Sequence, residues 1–195
     1  MTAPLGLYGG AFDPPHRGHV ELAGAGKREL GLDRLLVVVS AAPGHKDVVT
    51  SAATRLALTR AAFPDDEVVL DEHPRTVDML RAHPDWRDAI FLIGADQFSE
   101  FLDWKDPDEV LERVRIAVAT RPGFPEERLR AVLARLERPD RVSFFAIEPI
   151  PVASSELRAR LARGEDVGAD IPSAVADMIR REGLYLPPPG YTGTD

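Results

Sequence analysis

Near the start of the chain, Gly9-Gly10-Ala11-Phe12-Asp13-Pro14-Pro15-His16-Arg17-Gly18-His19 gathers residue types suited to phosphate chemistry. Two glycines at the end of an apolar run let the backbone approach a ligand closely. Asp13 ahead of two prolines makes a stiff turn. His16 and His19 stand three apart at the expected start of a helix, so they can share one side of it, and Gly18 keeps bulk away between them. The helix start adds N–H donors and partial positive charge. The combination describes a phosphate cradle. Its spacing is neither the dinucleotide fingerprint G-x-G-x-x-G nor a P-loop, which needs G-K-[S/T]. Asp13 keeps two readings, turn residue or metal ligand.

Three further stretches carry candidate residues. Ser40–Lys46 (SAAPGHK) follows a strand-like run, and Lys46 and His45 can donate to a phosphate there. Ser154-Ser155-Glu156-Leu157-Arg158 starts a helix. Read plainly it is a serine cap, but the serine pair, open N–H groups and Arg158 one turn on also form an anion site. Gly94-Ala95-Asp96 ends another strand-like run, with Trp104-Lys105 eight and nine residues after Asp96. An acid at a strand end can meet a ribose, and Trp104 can either stack on a ligand ring or fill the core.

The elements that must position these residues alternate. Strands are expected at Leu5–Gly10, Arg34–Ser40, Glu67–Asp71, Ala89–Gly94, Val114–Thr120 and Val142–Ile147. Helices are expected at Gly18–Leu30, Ser51–Ala62, Thr76–Ala82, Gln97–Leu102, Pro107–Arg113, Pro125–Leu136, Ser154–Arg163 and Ser173–Arg181. The pattern predicts an α/β fold: a Rossmann-like, mainly parallel sheet with helices on both faces, binding ligands beyond the strand C-termini where strand order reverses. Residues 1–186 read as one domain and 187–195, rich in Pro and Gly, as a disordered tail.

Bulk properties narrow the function. The chain has 195 residues, no cysteine and a net charge of −8. A thiolate nucleophile or thiolate metal site is excluded, and a nucleic-acid surface, usually basic, is not expected. No apolar run is long enough for a membrane span and no signal peptide stands at the start, so a cytoplasmic protein is expected.

The first motif closely resembles G-x-F-D-P-x-H-x-G-H of the HxGH nucleotidyltransferase superfamily. The later stretches are similar to that superfamily's P-x-H-[K/R] and I-S-S-T-x-x-R motifs and to the G-x-D-x(7)-W spacing of bacterial nicotinate-nucleotide adenylyltransferases. From Leu5 to about Tyr185 the chain resembles that family. The resemblance implies transfer of AMP from ATP to nicotinate mononucleotide, release of pyrophosphate, Mg2+ held mainly through the ATP phosphates, and a place in NAD synthesis. It implies catalytic roles for His16, His19, Lys46 and Arg158. ATP would lie against Gly9, Gly10, Phe12, His16, His19, Ser154, Ser155 and Arg158. The mononucleotide would lie against His45, Lys46, Thr76, Asp96 and Trp104, with Arg121 as a further phosphate contact. No protein metal ligand is assigned.

Three positions depart from the family pattern. Pro74-Arg75-Thr76 stands where Ser-Tyr-Thr is usual, Gly44 replaces a proline before His45, and Ala153 replaces the first serine of I-S-S-T. Arg75 leaves the choice between acid and amide open. The competing expectations are a related adenylyltransferase for nicotinamide mononucleotide or another phosphorylated substrate, and a non-catalytic nucleotide sensor.

Overall fold

Six largely apolar runs form the strands of one sheet, and every pairing in it is parallel. The computed structural model describes residues 4–44 and 47–186. The strands are β1 (Leu5–Gly10), β2 (Arg34–Ser40), β3 (Glu67–Asp71), β4 (Ile90–Gly94), β5 (Arg115–Thr120) and β6 (Val142–Ala146). The helices are α1 (Arg17–Leu30), α2 (Ala52–Ala62), α3 (Thr76–Ala82), α4 (Ala95–Ser99), α5 (Pro107–Arg113), α6 (Glu126–Leu133), α7 (Ser154–Ala162) and α8 (Ser173–Glu182).

Side chains alternate across a strand, and this divides the core into two layers. Tyr8, Val37, Val39, Leu92 and Ala117 face one way and are covered by α1, α2, α7 and α8. Leu7, Leu36, Val38, Phe91, Ile93 and Ile116 face the other way, under α3, α4, α5 and α6. The inner strands are buried on both faces, which explains why β2 and β4 read as apolar runs, whereas the edge strand β6 leaves Phe144 exposed.

The strand order is β3-β2-β1-β4-β5-β6. It grows outward in one direction from β1 and in the other from β4, so the switch point lies between those two. The β1–β2 pairing runs on to Gly10↔Val39, whereas β1–β4 pairing stops at Tyr8↔Leu92. A crevice therefore opens where Gly9 and Gly10 emerge.

The expected elements are all present, with shifted ends. The helix expected at Gln97–Leu102 is instead α4 followed by a 3-10 turn at Phe101–Asp103. Ser99 Oγ donates back to the Asp96 carbonyl at 2.6 Å, and Phe98 and Phe101 are both fully buried. The helix expected to reach Leu136 ends at Leu133, after which the turns tighten, and Leu136 is still buried. Short 3-10 turns at Pro84–Trp86 and Pro139–Arg141 add to the expected elements. No helix among the described residues is long and apolar enough to cross a membrane. The tail at 187–195 lies outside the described residues.

Candidate active site

The motif after β1 is shaped by crowding as much as by flexibility. Phe12 turns back against its own strand in the left-handed region, at φ 53°. Its ring lies so close to Gly10 that a Cβ there would sit 2.8 Å from it. The same ring meets Tyr8 and His19 edge-on, at centroid separations of 5.5 and 5.0 Å. Phe12 is only 1% exposed, so it supports the loop from beneath. Burial pushes the Tyr8 hydroxyl well above its ordinary pKa, and it stays neutral.

His16 caps α1 and His19 lies in its first turn. The His16 backbone N–H donates to His19 Nδ1 at 3.2 Å. Because Nδ1 accepts, a neutral His19 carries its proton on Nε2, where it can donate to a ligand. The two rings stack at 3.6 Å with 23° between planes. Gly18 lies tight against them: a Cβ there would stand 3.1 Å from the His16 ring and 3.3 Å from Val152. Gly18→Ala is therefore expected to push the His16 ring aside. Steady-state kinetics should show a loss in kcat/KM on the order of 10-fold, because small misplacements at a reacting centre are costly.

Asp13 resolves as a structural hub. Its Oδ2 accepts from the Val49 N–H at 2.6 Å, and its Oδ1 accepts from Thr50 and from Tyr185, both at 2.6 Å. Both oxygens are committed within the protein, which favours the turn reading over the metal-ligand reading. Burial, then Asp13, raise the Tyr185 pKa far above its ordinary value, so its hydroxyl remains a donor.

The serine–arginine stretch arrives at the same turn. Ser154 donates to the Pro14 carbonyl at 2.9 Å, and Arg158 donates to the Asp13 carbonyl at 2.8 Å and to the Asp47 carbonyl at 3.3 Å. Ser155 is exposed at the start of α7. Thus His16, His19, Ser154 and Arg158 are gathered around one loop, with Ser155 next to Ser154 in sequence. His45 and Lys46 lie outside the described residues.

A cavity of about 490 Å³ opens beside this loop, past Gly9 and Gly10. Thr76 and Trp104 line it, together with Ser40 and Gly44 from the β2 loop. Trp104 has both of the roles open to it. It packs on Phe91 and Phe101, at 6.5 and 5.1 Å between centroids, and still faces the cavity. Asp96 is placed elsewhere: it is exposed, 3.5 Å from Arg121, and is not part of the cavity wall. Gln97 and Glu100 of the same segment do line it.

One residue of the site lies outside the sequence motifs. Arg55 of α2 is 1% exposed, and it donates to the carbonyls of Ala11 at 2.9 Å, Ser40 at 2.6 Å and Ala41 at 2.8 Å. It fastens the loops after β1 and β2 to each other. Burial lowers its pKa, with Asp13 and Tyr185 acting in the opposite direction. The signal was present: Arg55, Leu58, Thr59 and Ala62 make the buried stripe of α2, and a cation on such a stripe needs partners.

A family model described as Cytidylyltransferase-like matches residues 7–160, which spans every element from β1 to most of α7. Curated relatives match along nearly the whole chain. "Probable nicotinate-nucleotide adenylyltransferase" of Bordetella avium is 36% identical over 94% of this chain and 98% of its own length. Those of Thermus thermophilus and Rubrobacter xylanophilus are 35% and 34% identical over 93% of this chain, and over 98% and 91% of their own lengths. The chain belongs to the nicotinate-nucleotide adenylyltransferase family. The family's fold is also seen in a solved structure, Plasmodium falciparum nicotinic acid mononucleotide adenylyltransferase complexed with APC. It superposes with a TM-score of 0.70 over 93% of this chain and 96% of that one, at 19% identity. As a member of this nucleotidyltransferase family, the chain is an enzyme.

Proposed function

We propose that this enzyme transfers the adenylyl group of ATP to nicotinate mononucleotide, forming nicotinate adenine dinucleotide and pyrophosphate in NAD synthesis. The observation that carries the reading is the convergence on one turn. Ser154 and Arg158 hydrogen-bond the loop that presents His16 and His19, across 140 and 145 residues of sequence. That loop borders a cavity with an aromatic wall at Trp104. The names carried by the relatives, and a solved Plasmodium falciparum neighbour complexed with NaAD, support the same substrates.

In this reading a 5′-phosphate oxygen of the mononucleotide attacks the α-phosphorus of ATP, and pyrophosphate leaves. The phosphate is already ionised at neutral pH, so no general base is required. The chain's task is to bring two anions together and stabilise the shifting charge. Orientation contributes up to roughly 7–11 kcal/mol in favourable cases. His16 and His19 donate to ATP phosphates at the reacting centre. Arg158, and Lys46 from the β2 loop, neutralise the β- and γ-phosphates.

Mg2+ is assigned to the nucleotide. Among the described residues no three His, Asp or Glu side chains gather as a metal site, and the Asp13 oxygens are engaged. The loop offers N–H donors and cations, which suit phosphate oxygens. The fit is to an ion that ATP carries in, where it would offset phosphate charge. A cytoplasmic location, with ATP at hand, belongs to the same reading.

The deciding experiment is pyrophosphate release from ATP with nicotinate mononucleotide, nicotinamide mononucleotide or neither. Release with the nicotinate compound is expected. ATP binding without release on either mononucleotide would identify a sensor instead. Trp104→Ala is expected to raise the KM for the mononucleotide about 10-fold, since stacking on an aromatic ring contributes on the order of 1–3 kcal/mol. An unchanged KM would remove the stacking role.

A further inference from the structure

Two residues of the cavity wall, Arg75 and Gly44, meet in space. A Cβ on Gly44 would stand 3.4 Å from Arg75 Nη1. The guanidinium thus spans from the β3–α3 junction toward the β2 loop.

The charges around it are unequal. His73 and Lys105 also line the cavity, but each is engaged with a carboxylate. His73 Nδ1 lies 2.6 Å from Asp71, and Lys105 donates to both Asp78 oxygens at 3.0 and 3.2 Å. Arg75 is exposed, and it donates only to the neighbouring Pro74 carbonyl among the described residues, at 3.3 Å. Among the described residues no Asp or Glu forms an ion pair with it. Among the described cations that line the cavity, Arg75 is therefore the one left to meet an anionic ligand.

We infer that Arg75 is a specificity-determining residue that pairs with the carboxylate of the pyridine ring when that ring lies against Trp104. The inference rests on the proposed substrate. A guanidinium carries donors alone, in a planar fork that matches two carboxylate oxygens. A carboxamide offers one acceptor oxygen and presents N–H donors of its own, so it loses half of that match and meets donor against donor. Arg75 thereby favours the acid over the amide.

The test compares kcat/KM for nicotinate and nicotinamide mononucleotides in the whole enzyme and in Arg75→Gln and Arg75→Lys. Because Arg75 is exposed, both variants should keep the wild-type thermal midpoint. In Arg75→Gln the acid-to-amide ratio is expected to fall on the order of 10-fold, chiefly through a higher KM for the acid, because a charge-assisted pair is lost. Arg75→Lys should recover part of the ratio as a point charge. An equal fall for both substrates would assign Arg75 to the mononucleotide phosphate and overturn the inference. An unchanged ratio would also overturn it. If the wild-type enzyme releases no pyrophosphate with nicotinate mononucleotide, the proposed function itself fails, which this comparison shows before any variant is read.

Discussion

His19→Ala is expected to lose at least about 100-fold in kcat while still unfolding cooperatively. The size follows from removing a preorganised donor at developing charge, a loss on the order of 3–4 kcal/mol in comparable sites. The substitution has a second effect, because His19 Nδ1 accepts the His16 N–H at the start of α1. Losing a cap of this kind costs roughly 0.5–2 kcal/mol, well short of the stability of a typical domain. His19→Asn separates the two effects. Its amide oxygen can take the place of Nδ1 and restore the cap, but it leaves nothing where Nε2–H stood. We expect His19→Asn to regain the denaturant midpoint and to remain as slow as His19→Ala in single-turnover pyrophosphate release. A variant that regains the cap and also regains turnover would make His19 a structural residue.

Arg55→Leu is the second large effect, and it bears first on stability. The guanidinium serves three buried or half-buried carbonyls, on the loops that follow β1 and β2. Leucine resembles it in apolar bulk but leaves those carbonyls without their donors. Each buried carbonyl left without its donor costs about 1–3 kcal/mol, so together they take a large share of the roughly 5–15 kcal/mol that holds most domains together. Urea denaturation should show the midpoint falling with little change in slope. Arg55→Lys is expected to recover little, since one ammonium on a flexible stem cannot reproduce a fork that spans two loops. At temperatures where the variant stays folded, catalysis should also fall, because Ala11 and Ser40 border the cavity and would lose their common anchor. Near-normal stability in Arg55→Leu would show that the two loops hold their places without it.

Much of the site was legible because its parts are local. The glycine pair, the Asp-Pro-Pro turn and the two histidines occupy eleven consecutive residues, and short-range sterics shape that segment. Helix and strand existence was equally accessible, since periodicity and β-branching are properties of neighbours in sequence. Element ends were less so. Whether the segment after β4 stays helical through Ser99 depends on where Phe98 and Phe101 find space in the core.

The chain's own order of residues thus determined an alternating α/β architecture, a phosphate-binding turn at its start and a serine–arginine helix start near its end. Only the folded structure decided how those pieces combine. It placed the switch point between β1 and β4, turned Asp13 inward as a hub for Val49, Thr50 and Tyr185, and set Asp96 outside the cavity beside Arg121. It also made Arg55 a clamp and Arg75 a cavity-lining cation. The reason is physical. Backbone preference acts over a few residues, whereas the partner of a buried charge, or the target of an exposed one, is settled by contacts between segments 14 to 172 positions apart.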